Sequence, residues 1–288
     1  MLTVSVVGLG VMGSRMARRL VDAGYQTFVW NRSADRAAPL VEAGAKAVAT
    51  PAQAAQEADV TIVMVSDPDA LAEATEGPDG VLSGCVPGRT VVQMSTVSPE
   101  ATARLAAQVP AGVALLDAPV MGSIPQVESG TLTVLTGGDD ETVERLSALL
   151  SVFGEVHRVG GVGAGTAAKL VANSALIAMA TLLGESLALG GGLGLSRDTT
   201  FDVLSRTYLG ELSDGWRPVV EAGEHRPSFS LSLAAKDAAL VDAAARTSGA
   251  PLPVLAAVSD WFAEAERAGH GALNMSAAVT HILQTRGI

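Results

Sequence analysis

Gly8, Gly10 and Gly13 stand at G-x-G-x-x-G spacing in Gly8-Leu9-Gly10-Val11-Met12-Gly13, directly behind the β-like run Thr3–Val7. Glycines so placed hold a dinucleotide. Gly8 permits a tight turn, Gly10 lets the backbone approach a pyrophosphate, and Gly13 lets the following helix pack close to its strand. The pyrophosphate is received by free amides at the helix N-terminus, so Leu9, Val11 and Met12 join the three glycines as expected contacts. The next strand candidate, Gln26–Trp30, runs into Asn31-Arg32-Ser33. An NAD site carries an Asp or Glu there to accept from the ribose hydroxyls. Here Arg32 stands where a 2′-phosphate lies, with Asn31 and Ser33 as neutral hydrogen-bonding neighbours. That favours NADP(H) while leaving NAD(H) usable.

A second constellation lies in GTAAKLVAN, residues 165–173. Lys169 is the only charged residue between Arg158 and Glu185, and Asn173 follows it by four residues on the same helix face. An ammonium group can stabilise and protonate an oxygen that gains negative charge during hydride transfer. Burial among apolar residues lowers a lysine pKa toward working pH.

The elements that must position these groups fall into two sets. Up to about residue 160, strand candidates Thr3–Val7, Gln26–Trp30, Val60–Val65, Thr90–Met94, Ala114–Ala118 and Leu132–Thr136 alternate with helical stretches. The helices read Ser14–Ala23, Pro51–Glu57, Pro99–Gln108 and Asp140–Leu150. Such alternation predicts an α/β fold with a Rossmann-type, doubly wound parallel sheet. The glycine-rich loop 159–164 is followed by no strand. Helices are expected at about 165–190, 198–207, 212–221, 229–247, 251–268 and 275–284, separated by breakers such as Gly190–Gly194 and the Pro251/Pro253 pair. The expected boundary divides a dinucleotide-binding domain, 1–162, from an all-α domain, 163–288.

Bulk properties narrow the function. The chain has 48% hydrophobic and 17% charged residues, which fits a folded globular protein. A net charge of −11 argues against nucleic acid. A single cysteine, Cys85, allows no internal disulfide and points to a reducing, cytoplasmic setting. The start lacks a signal-peptide pattern, and the uncharged run Leu170–Gly184 is too short to span a bilayer. The four histidines, 157, 225, 270 and 281, have no metal-ligand spacing, and no metal is expected.

Four ordered segments resemble the β-hydroxyacid dehydrogenase family, which includes 3-hydroxyisobutyrate dehydrogenases and glyoxylate or succinic semialdehyde reductases. They are GLGVMG at 8–13, DAPVMGS at 117–123 with SGTL at 129–132, GTAAKLVAN at 165–173, and AAKDAAL at 234–240. The resemblance implies a cofactor domain joined by a long helix to a helical domain, and a homodimer or homotetramer built through the latter. It implies Lys169 as the acid/base, with Asn173 binding the reacting oxygen or holding Lys169. It also implies Ser95 toward substrate, Thr96 toward the nicotinamide, Lys236 on the cofactor, and Val65 and Ser66 near the adenosine ribose. Met121, Gly122 and Ser123 match the loop that holds a substrate carboxylate. Met121 departs from the family's serine, and a thioether donates no hydrogen bond. Trp216, with Phe229, Leu212 and Tyr208, is a candidate to line the substrate pocket.

The expected activity is NADPH-preferring hydride transfer to or from a small β-hydroxyacid or aldehyde-type carbonyl compound. An imine reductase on the same scaffold is one alternative, although that group typically has Asp or Tyr at the lysine position. A catalytically silent dinucleotide-binding module is another. A 6-phosphogluconate dehydrogenase relative would need a phosphate cluster and a longer helical domain.

Overall fold

The computed structural model describes residues 2–226, 228–249 and 252–287. The helix start expected at Pro251 lies outside the described residues. Two compact units divide within one helix, residues 1–169 and 170–288.

The first unit is built on a nine-stranded sheet. Its strands are β1 (Thr3–Val7), β2 (Gln26–Trp30), β3 (Lys46–Ala47), β4 (Val60–Val63), β5 (Thr90–Gln93), β6 (Ala114–Asp117), β7 (Val120–Met121), β8 (Leu132–Gly137) and β9 (Gly154–Gly160). The order is β3-β2-β1-β4-β5-β6-β8-β7, with β9 on β8. The six strands β3, β2, β1, β4, β5 and β6 pair in parallel in that order, as the alternation predicts. The sheet departs from the parallel pattern at β8, which runs antiparallel to β6 and β7 and parallel to β9. Interior strands such as β4 (VTIV) and β5 (TVVQ) are buried throughout, as strands covered on both faces must be. β9 is not among the expected strands, and its end overlaps the glycine-rich loop read at 159–164. Its sequence, GEVHRVG, is mostly exposed on one edge and gives no buried run to read.

Helices flank the strands: α1 (Val11–Asp22), α2 (Ala38–Glu42), α3 (Pro51–Glu57), α4 (Pro68–Thr75), α5 (Val81–Gly84), α6 (Pro99–Gln108), α7 (Ile124–Ser129) and α8 (Asp140–Leu150). Several start where a capping side chain precedes proline. Thr50, Asp67 and Ser98 each accept a backbone N–H from the first turn of α3, α4 and α6.

α9 (Ala164–Gly192) carries the chain from one unit into the next. At 29 residues it is roughly 43 Å long. It is long and apolar enough to cross a membrane by length and composition, a test that the core helix of a globular protein also passes. The second unit adds α10 (Arg197–Leu204), α11 (Gly210–Ala222), α12 (Leu231–Thr247), α13 (Pro253–Ala265) and α14 (Ala277–Thr285). Ile177, Leu231 and Phe262 centre one core cluster, and Leu183, Phe201 and Val279 another.

Candidate active site

The glycine turn separates into glycines the fold requires and one it does not. Gly8 has φ 101°, and its N–H donates to the Trp30 carbonyl at 2.9 Å. A Cβ there would lie 2.3 Å from the Met64 carbonyl oxygen, and one on Gly13 would lie 2.0 Å from that of Gly8. A Cβ on Gly10 would meet nothing within 4 Å. The protein leaves that space open at the start of α1, where Gly10 offers no capping side chain and the first turn holds no acidic residue. The first amides of the helix therefore lack intrahelical acceptors, and a pyrophosphate fits their charge and the open space.

Asn31 is used within this turn. Its Oδ1 accepts from the Leu9 N–H at 2.9 Å, and its Nδ2 donates to the Ser33 carbonyl at 3.0 Å. Arg32 is exposed and pairs with Glu73 of α4 at 3.0 Å. Sequence reasoning passed over Arg36, whose guanidinium reaches the Leu9 carbonyl at 3.4 Å. Its spacing of four from Arg32 was the available signal.

At the ends of β4 and β5, Ser95 is buried and its Oγ accepts from the Val65 N–H at 2.8 Å. It was expected to touch substrate. Its hydroxyl satisfies a backbone donor that would otherwise be stranded between two strand ends. Buried Gln93 holds the Ser95 backbone on both sides, accepting its N–H and donating to its carbonyl at 3.1 Å. Thr96 follows, half-buried. The exposed Ser66 donates to Asp67 at 2.5 Å, and Asp67 accepts from Ala70 at 2.8 Å to cap α4.

The loop after β6 is shaped by pairing with β8, where Met121 faces Thr133. Met121 is 38% exposed. Gly122 has φ 115°, and a Cβ would lie 2.7 Å from Leu132 Cδ2. The Ser123 N–H donates to Gln126 Oε1 at 2.9 Å, and its hydroxyl lies 3.3 Å from the same oxygen.

Asp117, at the end of β6, is fully buried. Its two oxygens accept from the Gly163 N–H at 2.8 Å and the Thr166 N–H at 2.6 Å, at the start of α9. Burial pushes its carboxyl above the ordinary range, against the opposing pull of those N–H groups. The Thr102 and Thr166 hydroxyls meet at 2.9 Å. A Cβ on Gly165 would lie 2.3 Å from the Asp117 carbonyl oxygen and 2.5 Å from that of Leu135. Lys169 follows Gly165 by one helical turn and is half-buried.

In the second unit, buried Asn173 donates to Asp237 Oδ2 at 2.7 Å, and Lys236 Nζ lies 2.8 Å from Asp237 Oδ1. Asp237 thus links two expected site residues and was itself missed, although it stands beside Lys236 in AAKDAAL. Trp216 and Phe229 pack against the core cluster around Ile177 and Phe262, and Leu212 packs against the other. Tyr208 is fully exposed. A cleft of ≈ 380 Å³ is lined by Trp216, Arg226, Asn274 and Ser276 among others, and no other expected site residue lines it. His225 is bonded to Ser276, which lines the cleft, and to Thr280, each at 2.8 Å, and burial and nearby His270 lower its pKa. Among the described residues no group of three or more His, Cys, Asp or Glu side chains could hold a metal.

Residues 3–163 match the family model for the NAD binding domain of 6-phosphogluconate dehydrogenase. Residues 163–282 match that for the NAD-binding region of NADP-dependent 3-hydroxyisobutyrate dehydrogenase. A 3-sulfolactaldehyde reductase of Escherichia coli K12 is 34% identical over 292 residues, covering 100% of this chain and 98% of the relative. The Mycobacterium tuberculosis 3-hydroxyisobutyrate dehydrogenase, solved with L-serine, superposes with a TM-score of 0.86 at 27% identity, over 97% of this chain and 98% of the other. An imine reductase from Pseudomonas sp. gives 0.63 at 26% identity, over 98% and 99%.

Proposed function

The chain belongs to the β-hydroxyacid dehydrogenase family and is an NAD(P)-dependent oxidoreductase; from that premise we propose that it interconverts a small acidic aldehyde and its hydroxyacid, with Lys169 as proton donor and acceptor. A nicotinamide dinucleotide held by this chain would supply or take the hydride. In the reducing direction the carbonyl carbon gains the hydride, the π pair moves to oxygen, and the Lys169 ammonium stabilises and protonates that oxygen. The observation that carries this reading is Lys169 itself: the only charge between Arg158 and Glu185, one turn along a helix whose start is bonded to the strand leading into the Met121 loop.

We assign Gly122 and Ser123 to the acidic end of the substrate, with Met121 as an apolar neighbour. Asn173 and Trp216 are assigned to the substrate and Lys236 and Thr96 to the cofactor. The glycine turn, Val65 and Ser66 hold the rest of the dinucleotide. NADP(H) is the preferred form in this reading, because Arg32 and Arg36 offer two guanidiniums near the turn. The exposed Arg32–Glu73 pair is worth roughly 0–1 kcal/mol, so a 2′-phosphate can take Glu73's place. Val171, Leu176, Met179, Leu182 and Leu189 expose apolar side chains along α9, which supports assembly of two or more copies through the helical unit. The single cysteine supports a cytoplasmic setting.

The test is Lys169→Ala assayed with NADPH and NADH against small aldehydes, β-hydroxyacids and cyclic imines. Turnover should fall on the order of 10²–10⁴-fold with dinucleotide binding preserved. Retained turnover would sink the acid/base role, and a clear NADH preference would overturn the reading of Arg32. The imine reductase alternative gains only if the wild type reduces cyclic imines faster than aldehydes.

A further inference from the structure

We propose that Asp117 is a positioning residue for catalysis: it seats the first turn of α9 on the strand that leads into the substrate loop, and so fixes Lys169 relative to that loop. The inference rests on Lys169 acting as the acid/base. Asp117 closes β6, and the chain re-enters the sheet three residues later as β7, bearing Met121. The same carboxylate receives Gly163 and Thr166, so one side chain ties the substrate loop to the helix start.

The surroundings admit little play. Gly165 leaves no room for a Cβ against the Asp117 and Leu135 carbonyls, and one on Gly137 would lie 2.3 Å from Asp117 Oδ1. The Thr102–Thr166 contact holds the same turn from α6. Lys169 follows Gly165 by four residues, one turn further along the same helix. A carboxylate buried so deeply, with its carboxyl pushed upward by that burial, is a poor device for stability alone.

Asp117→Asn keeps the shape, retains one acceptor and turns the other oxygen into an amide that faces a backbone donor. We expect kcat to fall about 100-fold, since displacements near 1 Å cost that much at a reacting centre. NADPH affinity, read by fluorescence titration, should stay unchanged. The deciding measurement is the double variant. If Asp117 acts through Lys169, Asp117→Asn costs activity in the presence of Lys169 and nothing further in Lys169→Ala. The same factor lost in both backgrounds would overturn the proposal, as would unchanged kcat in Asp117→Asn.

Should Asp117→Asn fail to fold, Thr102→Val loosens the same helix start from the α6 side while leaving the Asp117 carboxylate in place. A smaller loss of kcat, absent when Lys169 is alanine, is expected. Its persistence there, or no loss at all, would overturn the proposal. Retained activity in Lys169→Ala alone would instead defeat the acid/base assignment, so the two failures are distinct.

Discussion

Asp139 and Asp117 each lend a carboxylate to the first turn of a helix, α8 in one case and α9 in the other. Asp139 is exposed, and its bond from the Thr142 N–H at 2.8 Å holds its carboxyl below the usual range. Asp117 takes two such bonds and is nevertheless pushed the other way, because burial strips the charge of water. The sign of the stability effect follows. Asp139's contribution is present above its unfolded-state pKa and lost as the pH falls through its lowered folded value. Asp117's ionised form costs stability at neutral pH, and that cost is relieved as the pH falls through its raised folded value. One cap serves the stability of its helix, and the other is kept for what it holds in place.

The sharpest way to break this contrast is Gly165→Ala. The added methyl would press on the Asp117 and Leu135 carbonyls and lift the start of α9. A loss of about 1–3 kcal/mol in urea unfolding is expected, with kcat reduced on the order of 100-fold. Unchanged kcat would show that Lys169 does not depend on this seat. A smaller effect should appear in the pH profile. Protonated Asp117 cannot accept at both oxygens, so kcat should decline on the acid side at a pKa above the ordinary aspartate value of about 3.9. Asp117→Asn should abolish that limb and Asp139→Asn should leave it. If the limb survives in Asp117→Asn, another group titrates there. The smallest effect belongs to Asp139→Ala. It should cost about 1 kcal/mol at neutral pH and progressively less on acidification. Its kcat should match the wild type, and a matching loss of kcat would erase the distinction between the two caps.

Much of this architecture was legible because local signals agreed with the tertiary fold. β1 and β2 match their expected bounds, as do α3, α6 and α8, where apolar runs end at proline or at a capping side chain. β9 and the two-residue β3 and β7 were not legible, since their pairing is supplied by neighbours rather than by a buried run of their own. The turn of β8 against the parallel direction was hidden for the same reason: a strand's own sequence does not record the direction of its partner. Among the candidate site residues, Gly8, Gly13 and the isolated Lys169 stand out by their spacing. Ser95 shows how one letter can carry two roles: a serine at a strand end suits ligand contact and backbone repair equally, and its bond to Val65 depends on the neighbouring strand. Asp117, Gln93 and Asp237 were visible as letters, but their roles depend on partners 46 to 64 residues away or on a backbone turn no pattern specifies.

The open space at Gly10 carries a consequence for how this chain records selection. Variants chosen only for soluble, folded protein should keep Gly8 and Gly13, where any side chain collides with the backbone, and let position 10 drift. Variants chosen for turnover should hold all three. Comparing the two survivors in one mutational library would therefore separate the demands of the fold from those of the ligand at a single residue, with the empty volume beside Gly10 as the place where they part.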